Sequence, residues 1–115
     1  MIQVSQLLFS LLSSYTELTT VVSNRIYPVL APENAVFPFV VYGFGEVPTE
    51  TKDASGYMVN VAVWFEQNKV TEALQMADDL KVLIEDHDFE FINTNVNFDA
   101  DNLKIYSEIN FKIIK

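Results

Sequence analysis

Two runs of alternating apolar and polar residues near the C terminus constrain the fold more than any other feature of the chain. The first run occupies residues 92–98, the second occupies residues 103–113, and the polar residues 99–102 lie between them. Successive side chains of a β-strand point to opposite faces of a sheet, so each run predicts a strand with one apolar face. The polar residues between the runs predict a turn. The sequence therefore predicts a C-terminal β-hairpin with one face on the core and one polar face.

A turn at residues 99–102 would fix which residues of the two strands face each other. On the apolar face the expected pairs are Phe98 with Leu103, Val96 with Ile105, Thr94 with Ser107 and Ile92 with Ile109. On the polar face they are Asn97 with Lys104, Asn95 with Tyr106 and Asn93 with Glu108. A slip of one residue would mix the two sets, which supports this register. The asparagine row is then a solvated face, a hydrogen-bonding surface between subunits, or the wall of a channel.

A second β-rich region covers residues 39–47 and 56–65, and the polar segment 48–55 between them predicts a long hairpin loop. The second of these strands is mostly apolar on both faces. One face carries Tyr57, Val59, Val61, Val63 and Phe65, and the other carries Met58, Asn60, Ala62 and Trp64. A strand with two apolar faces is usually buried on both. We therefore expect it to be central and covered on both sides, by helices or by a neighbouring subunit.

Helical spacing of apolar residues marks the remaining segments. Residues 3–14 carry one apolar stripe, a short helical turn is expected at 17–22, and a second amphipathic helix is expected to begin with Asn68 as its N-cap. Three prolines make residues 25–38 an extended segment. The order of elements predicts a single α+β domain over residues 1–115. Its mainly antiparallel sheet of two hairpins packs against an N-terminal helix and one central amphipathic helix.

The composition describes an acidic domain with a tendency to associate. The formal net charge is −9, and a field of this sign repels nucleic-acid phosphates and anionic lipid surfaces. Half of the residues are hydrophobic and the mean hydropathy is +0.16, which favours burial between subunits. The chain has no cysteine, its N terminus lacks the basic region of a secretory signal, and no apolar stretch is long enough to span a bilayer. We expect an intracellular protein without membrane contact.

Few residues are arranged for catalysis. His87 lies in the acidic stretch 85–88, which is either a divalent-metal site or, the favoured interpretation, a solvated helix end where the histidine offsets nearby acids. Asp99, Asp101 and Asn102 begin like a calcium loop, but the central glycine and the distal glutamate are missing. The glycines form no phosphate-binding motif. We expect no enzymatic activity, no catalytic residue, no bound metal and no cofactor.

Aromatic residues provide a second possible function. Phe37, Phe39, Tyr57 and Trp64 could stack against a ligand, although such residues on strands more often pack in a core or a subunit interface. The alternative to an assembly protein is therefore a small-ligand-binding α+β module with an aromatic platform around Trp64.

Several short motifs resemble a known family. NRIYP at residues 24–28, AP at 31–32, FPFVVY at 37–42 and VAVW at 61–64 are similar to segments of the tail-completion proteins of long-tailed double-stranded DNA bacteriophages. These are also described as tail-terminator or head-to-tail joining proteins. The resemblance implies a homo-oligomeric ring, with six copies expected, that closes the tail tube and joins it to the head connector. It also implies a virion protein, assembled in the cytoplasm of the bacterial host, through whose lumen DNA passes without specific binding.

The resemblance has no catalytic residues to transfer, so the expected sites are contacts. We expect Arg25 and Tyr27 of the first motif to lie at a subunit interface, together with Glu50, Lys52 and Asp53 of the hairpin loop. The 48–55 loop is expected to reach a neighbouring subunit or the lumen. Residues Asn93, Asn95 and Asn97 are expected to line the lumen or an interface. The expected partners are further copies of the chain, the tail-tube protein and the head-connector protein.

Overall fold

The computed structural model describes residues 2–47, 56–87 and 89–114. Its helices are α1 (Ile2–Ser14), α2 (Thr16–Val22) and α3 (Val70–Glu85). Its strands are β1 (Ile26–Pro28), β2 (Phe39–Val47), β3 (Gly56–Glu66), β4 (Glu90–Asp99) and β5 (Lys104–Ile114). The predicted α+β class is confirmed. Within the described residues, no helix combines the length and the apolar character needed to cross a membrane.

The five strands form one sheet in the order β1-β2-β3-β5-β4. Strands β2 and β3 form one antiparallel hairpin, β4 and β5 form the other, and antiparallel pairing of β3 with β5 joins the two. Strand β1 pairs in parallel with β2, in the segment expected only to be extended. The predicted central position of β3 is confirmed, because two strands lie on each side of it in the sheet.

All three helices contribute to one core on one face of the sheet, which we call the helix-covered face. Buried residues of α1 and α2 pack there with alternate residues of β2, β3 and β5, and α3 closes the other half of the same face. The fully buried members include Leu8, Leu12, Leu18, Val40, Val63, Leu80, Ile109 and Phe111. The Tyr15 hydroxyl donates a hydrogen bond to the Asp79 carbonyl at 2.8 Å and so links the N-terminal helices to α3.

The opposite face of the sheet, which we call the outer face, is the side on which β3 was expected to be covered by helices or by a neighbouring subunit. The described helices leave it uncovered, yet Ala62 is nearly buried and Trp64 is half-buried there, among side chains of neighbouring strands. Large side chains on β2 and β5 shield the centre of this face. The apolar character of β3 on both sides therefore reflects a helical layer on one side and an aromatic surface on the other.

The helix boundaries agree with the apolar periodicity except at the start of α3. Asn68 lies in the turn before the helix, so its predicted role as N-cap is wrong. Lys69 occupies the N-cap position and makes no side-chain capping bond. The Lys69 amide donates to the Glu66 carbonyl at 3.1 Å. A tight turn directly after β3 therefore sets where this helix begins.

The expected register of the C-terminal hairpin is wrong by two residues. Phe98 faces Ile105 rather than Leu103, and Asn97 faces Tyr106 rather than Lys104. The cause is the turn, which occupies residues 100–103, with Leu103 in the left-handed backbone region at φ 55°. A shift of two preserves the assignment of side chains to faces, because strand side chains alternate with period two. A bulge between Phe91 and Asn93 then changes the register again, so that Phe91 faces Phe111 and packs against the core. The predicted pairing of Ile92 with Ile109 is therefore wrong, because Ile92 is the extra residue of the bulge.

Candidate interaction surface

A concave groove of about 890 Å³ lies on the outer face. Its floor is formed by strands β2, β3 and β5. One wall is the segment 29–37, and the other is the β4–β5 turn with the end of β4. Apolar residues of the floor and of the first wall include Phe37, Phe39, Val41, Ala62, Trp64 and Tyr106. Ligand pockets have volumes of roughly 300–1,000 Å³, so the groove is large enough for a small molecule or a short peptide segment.

Aromatic rings pack against one another along the groove. The Trp64 and Tyr106 ring centroids are 4.5 Å apart, and those of Phe37 and Phe39 are 4.8 Å apart. Three of the four residues predicted to form a platform, Phe37, Phe39 and Trp64, therefore do line one surface. Tyr57 does not, because it lies on the helix-covered face and packs against the core. The pairing Trp64↔Tyr106 between β3 and β5 places Tyr106 in the platform instead.

The groove has an acidic lining around this aromatic floor. Glu33, Asp99 and Glu108 line it, and Lys104 is the cationic residue among the described lining residues. The Lys104 ammonium lies 2.9 Å from Glu66 Oε2 and 4.8 Å from the Phe37 ring centroid. The ion pair is partly exposed, so its contribution to stability is at most about 1 kcal/mol. Because Lys104 is already paired, the groove presents net negative charge.

The two motif residues expected at a subunit interface have different environments. Arg25 is half-buried, and its Nε donates a hydrogen bond to the Pro38 carbonyl at 2.8 Å. The Val40 amide donates to the Arg25 carbonyl at 2.9 Å, so this residue fixes the start of β2 against the segment before β1. Tyr27 lies on the outer face with its ring centroid 6.0 Å from that of Phe39, at the edge of the aromatic surface. The expected interface residues Glu50, Lys52 and Asp53 lie outside the described residues.

The predicted asparagine row lies on the outer face, beside the groove. Asn95 Nδ2 donates to Asn93 Oδ1 at 3.2 Å, and Asn110 Nδ2 donates to the same oxygen at 2.8 Å. Asn60 Nδ2 donates to Asn110 Oδ1 at 2.9 Å, which extends the network from β4 across β5 to β3. Asn97 is exposed and faces Tyr106 across the strand pair. The row is therefore part of an amide network that borders the aromatic surface, and Asn60 and Asn110 belong to it although the sequence did not indicate them.

Asp99, Asp101 and Asn102, whose pattern resembles the start of a calcium loop, are hydrogen-bonded to one another in the β4–β5 turn. Asp99 Oδ2 accepts from Asn102 Nδ2 at 2.8 Å, and Asp99 Oδ1 accepts from the Asp101 amide at 3.1 Å. The Asn102 side-chain bond is the main cause that holds the pKa of Asp99 below its usual value, and backbone amides of the turn add to it. This carboxylate therefore stabilises the turn that sets the hairpin register.

Replacing Asn102 with alanine is expected to raise the pKa of Asp99 towards its ordinary value. The folded state favours the ionised form of Asp99, so its contribution to stability is present above the ordinary carboxyl pKa. That contribution is lost as the pH falls through the lowered pKa. An NMR titration of the Asp99 carboxyl carbon measures the shift, with Asn34→Ala as the matched control at an exposed site. An unchanged titration in Asn102→Ala would contradict the assigned cause.

Residues 85–87 of the candidate metal cluster are described, and among them the His87 ring makes local contacts. The His87 Nδ1 atom lies 2.8 Å from the Leu83 carbonyl oxygen, and the ring stacks on Phe89 with centroids 5.6 Å apart. Among residues 2–47, 56–87 and 89–114, no three histidine or acidic side chains are grouped to hold a metal ion. Asp88 lies outside the described residues. The described contacts of His87 are those of a histidine that closes a helix end.

A comparison with protein families identifies the group to which this sequence is related. The family model described as tail completion protein gp17 matches residues 6–114, which is almost the whole chain. The matched range includes all of the groove-lining residues and the asparagine network. No curated protein matches the chain. The extent of the family match shows that this chain belongs to the gp17 family of phage tail completion proteins.

Proposed function

We propose that this phage tail protein forms a ring that closes the end of the tail tube and joins it to the head connector. The observation that carries the proposal is the family match over residues 6–114. The family is structural, and we propose that the chain acts by assembly and has no catalytic activity. The ring would contain copies of this chain alone, with six as the expected number. It would assemble in the bacterial cytoplasm and remain in the virion.

The outer face supports this role as a contact surface. Trp64, Tyr106, Phe37 and Tyr27 are all half-buried within the single chain, so each retains apolar surface that a neighbouring molecule could cover. Buried tryptophan and tyrosine side chains contribute most of the binding energy in many protein interfaces. The amide network at Asn93 and Asn95 would supply hydrogen bonds at the border of such a contact. We propose that a neighbouring subunit or a tail-tube protein packs on this surface.

The hairpin loop 48–55 is proposed as a second contact. Val47 pairs with Gly56, so the loop begins and ends at the far end of the β2–β3 hairpin from the groove. The nine paired residues of β2 separate the loop from Phe39 by roughly 26 Å at the usual rise of a strand. The described ends of the loop therefore lie at the opposite end of the hairpin from Phe39 and Trp64. Glu50, Lys52 and Asp53 would contact a neighbouring subunit or the lumen.

The net charge of −9 fits a ring around DNA. Attraction between a basic lumen and each phosphate would slow the passage of the duplex, and an acidic subunit avoids that attraction. We propose that DNA passes the ring without specific binding.

A phage from which the gene is deleted provides the functional test. We expect separate DNA-filled heads and unjoined tails, and we expect full infectivity when the wild-type chain is supplied from a plasmid. A chain that lacks residues 49–54 should fold but fail to restore joining. Normal virions from the deletion phage would contradict the proposed role. Full rescue by the shortened chain would contradict the proposed loop contact alone.

The aromatic groove favours one alternative function, a site for a small ligand. The packed ring pair of Trp64 and Tyr106 could bind a flat, uncharged or cationic molecule, since the lining is acidic. The chain has one tryptophan, so its fluorescence reports on this groove alone. Saturable quenching by a member of a metabolite panel would favour the alternative, and no response across the panel would remove it.

A further inference from the structure

Strand β4 is an edge of the sheet with unusually little protection. It runs for ten residues and pairs with β5 on one side, and no other described strand lies on its other side. Natural proteins usually block such edges with lysine, proline or interior charges, because unpaired backbone groups invite another strand. Here the sequence EFINTNVNFD carries charge only at its two ends, on Glu90 and Asp99. Within the part of the chain that the structure describes, the interior of the edge is open to pairing.

The residue pattern of this edge is complementary to itself. Taken about Asn95 as a centre, Asn93 corresponds to Asn97, and Thr94 corresponds to Val96. One step further lie two exposed apolar residues, Phe98 (52% exposed) and Ile92 (41% exposed), the latter at the bulge that ends the regular pairing. In an antiparallel pair of identical strands, residues equidistant from the centre face each other. Each of the asparagines at 93, 95 and 97 would thus meet an asparagine across the pair.

We propose that a second copy of the chain pairs with this edge, with β4 antiparallel to β4 across a two-fold axis at Asn95. The pairing joins two five-stranded sheets into one continuous sheet. Other centres fit less well. A centre at Val96 places Asn93 opposite Asp99 and Thr94 opposite Phe98. A centre at Thr94 places Asn97 opposite Phe91 and carries the pairing through the bulge between Phe91 and Asn93, so neither centre aligns all three asparagines.

An exposed side of α3, which we call its flank, also favours a second copy of the chain as the partner. Lys81 reaches over the Phe91 ring of β4, with its ammonium 5.5 Å from the centroid, so this flank of the helix lies above the β4 edge. Leu74 lies seven residues earlier, which is two helical turns, and therefore on the same flank. It is 53% exposed. A second copy paired through β4 would bring its own Leu74 flank towards this one and cover both.

This contact is distinct from the proposed ring and does not depend on it. A two-fold contact uses the same patch on both subunits and closes at two copies, whereas a ring needs two different patches on each subunit. Each copy carries a net charge of −9, so repulsion opposes the pairing. Added salt screens that repulsion, and we therefore expect dimerisation to strengthen as the ionic strength rises.

Single-cysteine variants test the register directly, because the natural chain has no cysteine. Opposed residues in an antiparallel pair have Cα atoms about 4.5–5.5 Å apart, within the range that a disulfide can bridge. Under mild oxidation of the purified protein, Asn95→Cys should form a covalent dimer. Asn93→Cys and Asn97→Cys should each remain monomeric, since equal residues at those positions are about 13 Å apart. A mixture of Asn93→Cys with Asn97→Cys should cross-link.

Sedimentation of variants without cysteine gives a second measurement. Wild-type protein should be a dimer at high concentration, Asn95→Lys should be a monomer because two lysines would meet at the axis, and Asn68→Lys should dimerise as the wild type does. Circular dichroism checks that each variant is folded. A wild-type monomer at every concentration, a dimer that survives Asn95→Lys, or cross-linking of Asn97→Cys as fast as that of Asn95→Cys would overturn the proposal. Because no tail protein is present, failure of the ring proposal would leave these results unchanged.

Discussion

Replacing Phe111 with alanine is expected to lower the free energy of unfolding by about 3–5 kcal/mol. The Phe111 side chain is fully buried on the helix-covered face, where it packs on Phe89 with ring centroids 5.4 Å apart. Alanine removes most of the side chain and leaves a cavity between β5 and α3, because the surrounding residues relax only in part. Urea denaturation followed by circular dichroism measures the loss. A loss of this size is a large part of the stability of an ordinary small domain.

Phe9→Ala is the matched control for this prediction. Phe9 lies on α1 and is 46% exposed, so the same chemical change there should alter the free energy of unfolding by about 0.5 kcal/mol or less. Equal effects of the two substitutions would mean that the helix-covered face is not the core. Comparing the free energies of unfolding of the two variants therefore tests which face of the sheet is buried.

Replacing Trp64 with alanine is expected to weaken assembly about 30-fold or more while the chain remains folded. Trp64 is half-buried on the outer face, and its ring packs on Tyr106 at the centre of the groove. Truncation of a central tryptophan in an interface commonly costs about 2 kcal/mol or more of binding free energy, which corresponds to that factor. The measurement is the concentration of supplied protein that restores tail joining to extracts of the deletion phage.

Val82→Ala is the control for the assembly prediction. Val82 is an exposed apolar residue on α3, on the other side of the molecule from the groove, and its replacement should leave joining unchanged. If Trp64→Ala joins tails at the wild-type concentration while its circular dichroism spectrum is normal, the outer face is not an assembly surface. If both variants fail equally, the loss is not specific to the groove.

The sequence predicted the parts of this fold that depend on periodicity. The apolar stripe of residues 3–14 and the alternation at residues 103–113 each place a buried face, and burial is the main driving force for folding. The central strand β3 followed from its two apolar faces. These predictions hold because moving a row of apolar side chains from the core to solvent would cost more free energy of folding than local backbone preferences could offset.

The parts that could not be predicted depend on geometry within turns and between distant strands. The hairpin register depends on the bonds of Asp99 inside the turn, which move it by two residues without exchanging the faces. The contact of Trp64 with Tyr106 requires the pairing of β3 with β5, and no local pattern indicates which strands become neighbours. The same pairing brings Asn60 and Asn110 into the amide network. The candidate surface therefore depends mainly on the order of the strands in the sheet, which no short sequence motif indicates.

Electron cryomicroscopy of tails purified from a phage that carries this gene would show whether the chain closes the tail tube. We expect a ring of this chain at the head-proximal end of the tube, with the fold described above and with Trp64 covered by a neighbouring molecule. Tails made without the gene should lack that ring. A tube end that is closed and joined to its connector with no copy of this chain present would mean that the chain does not have the proposed role.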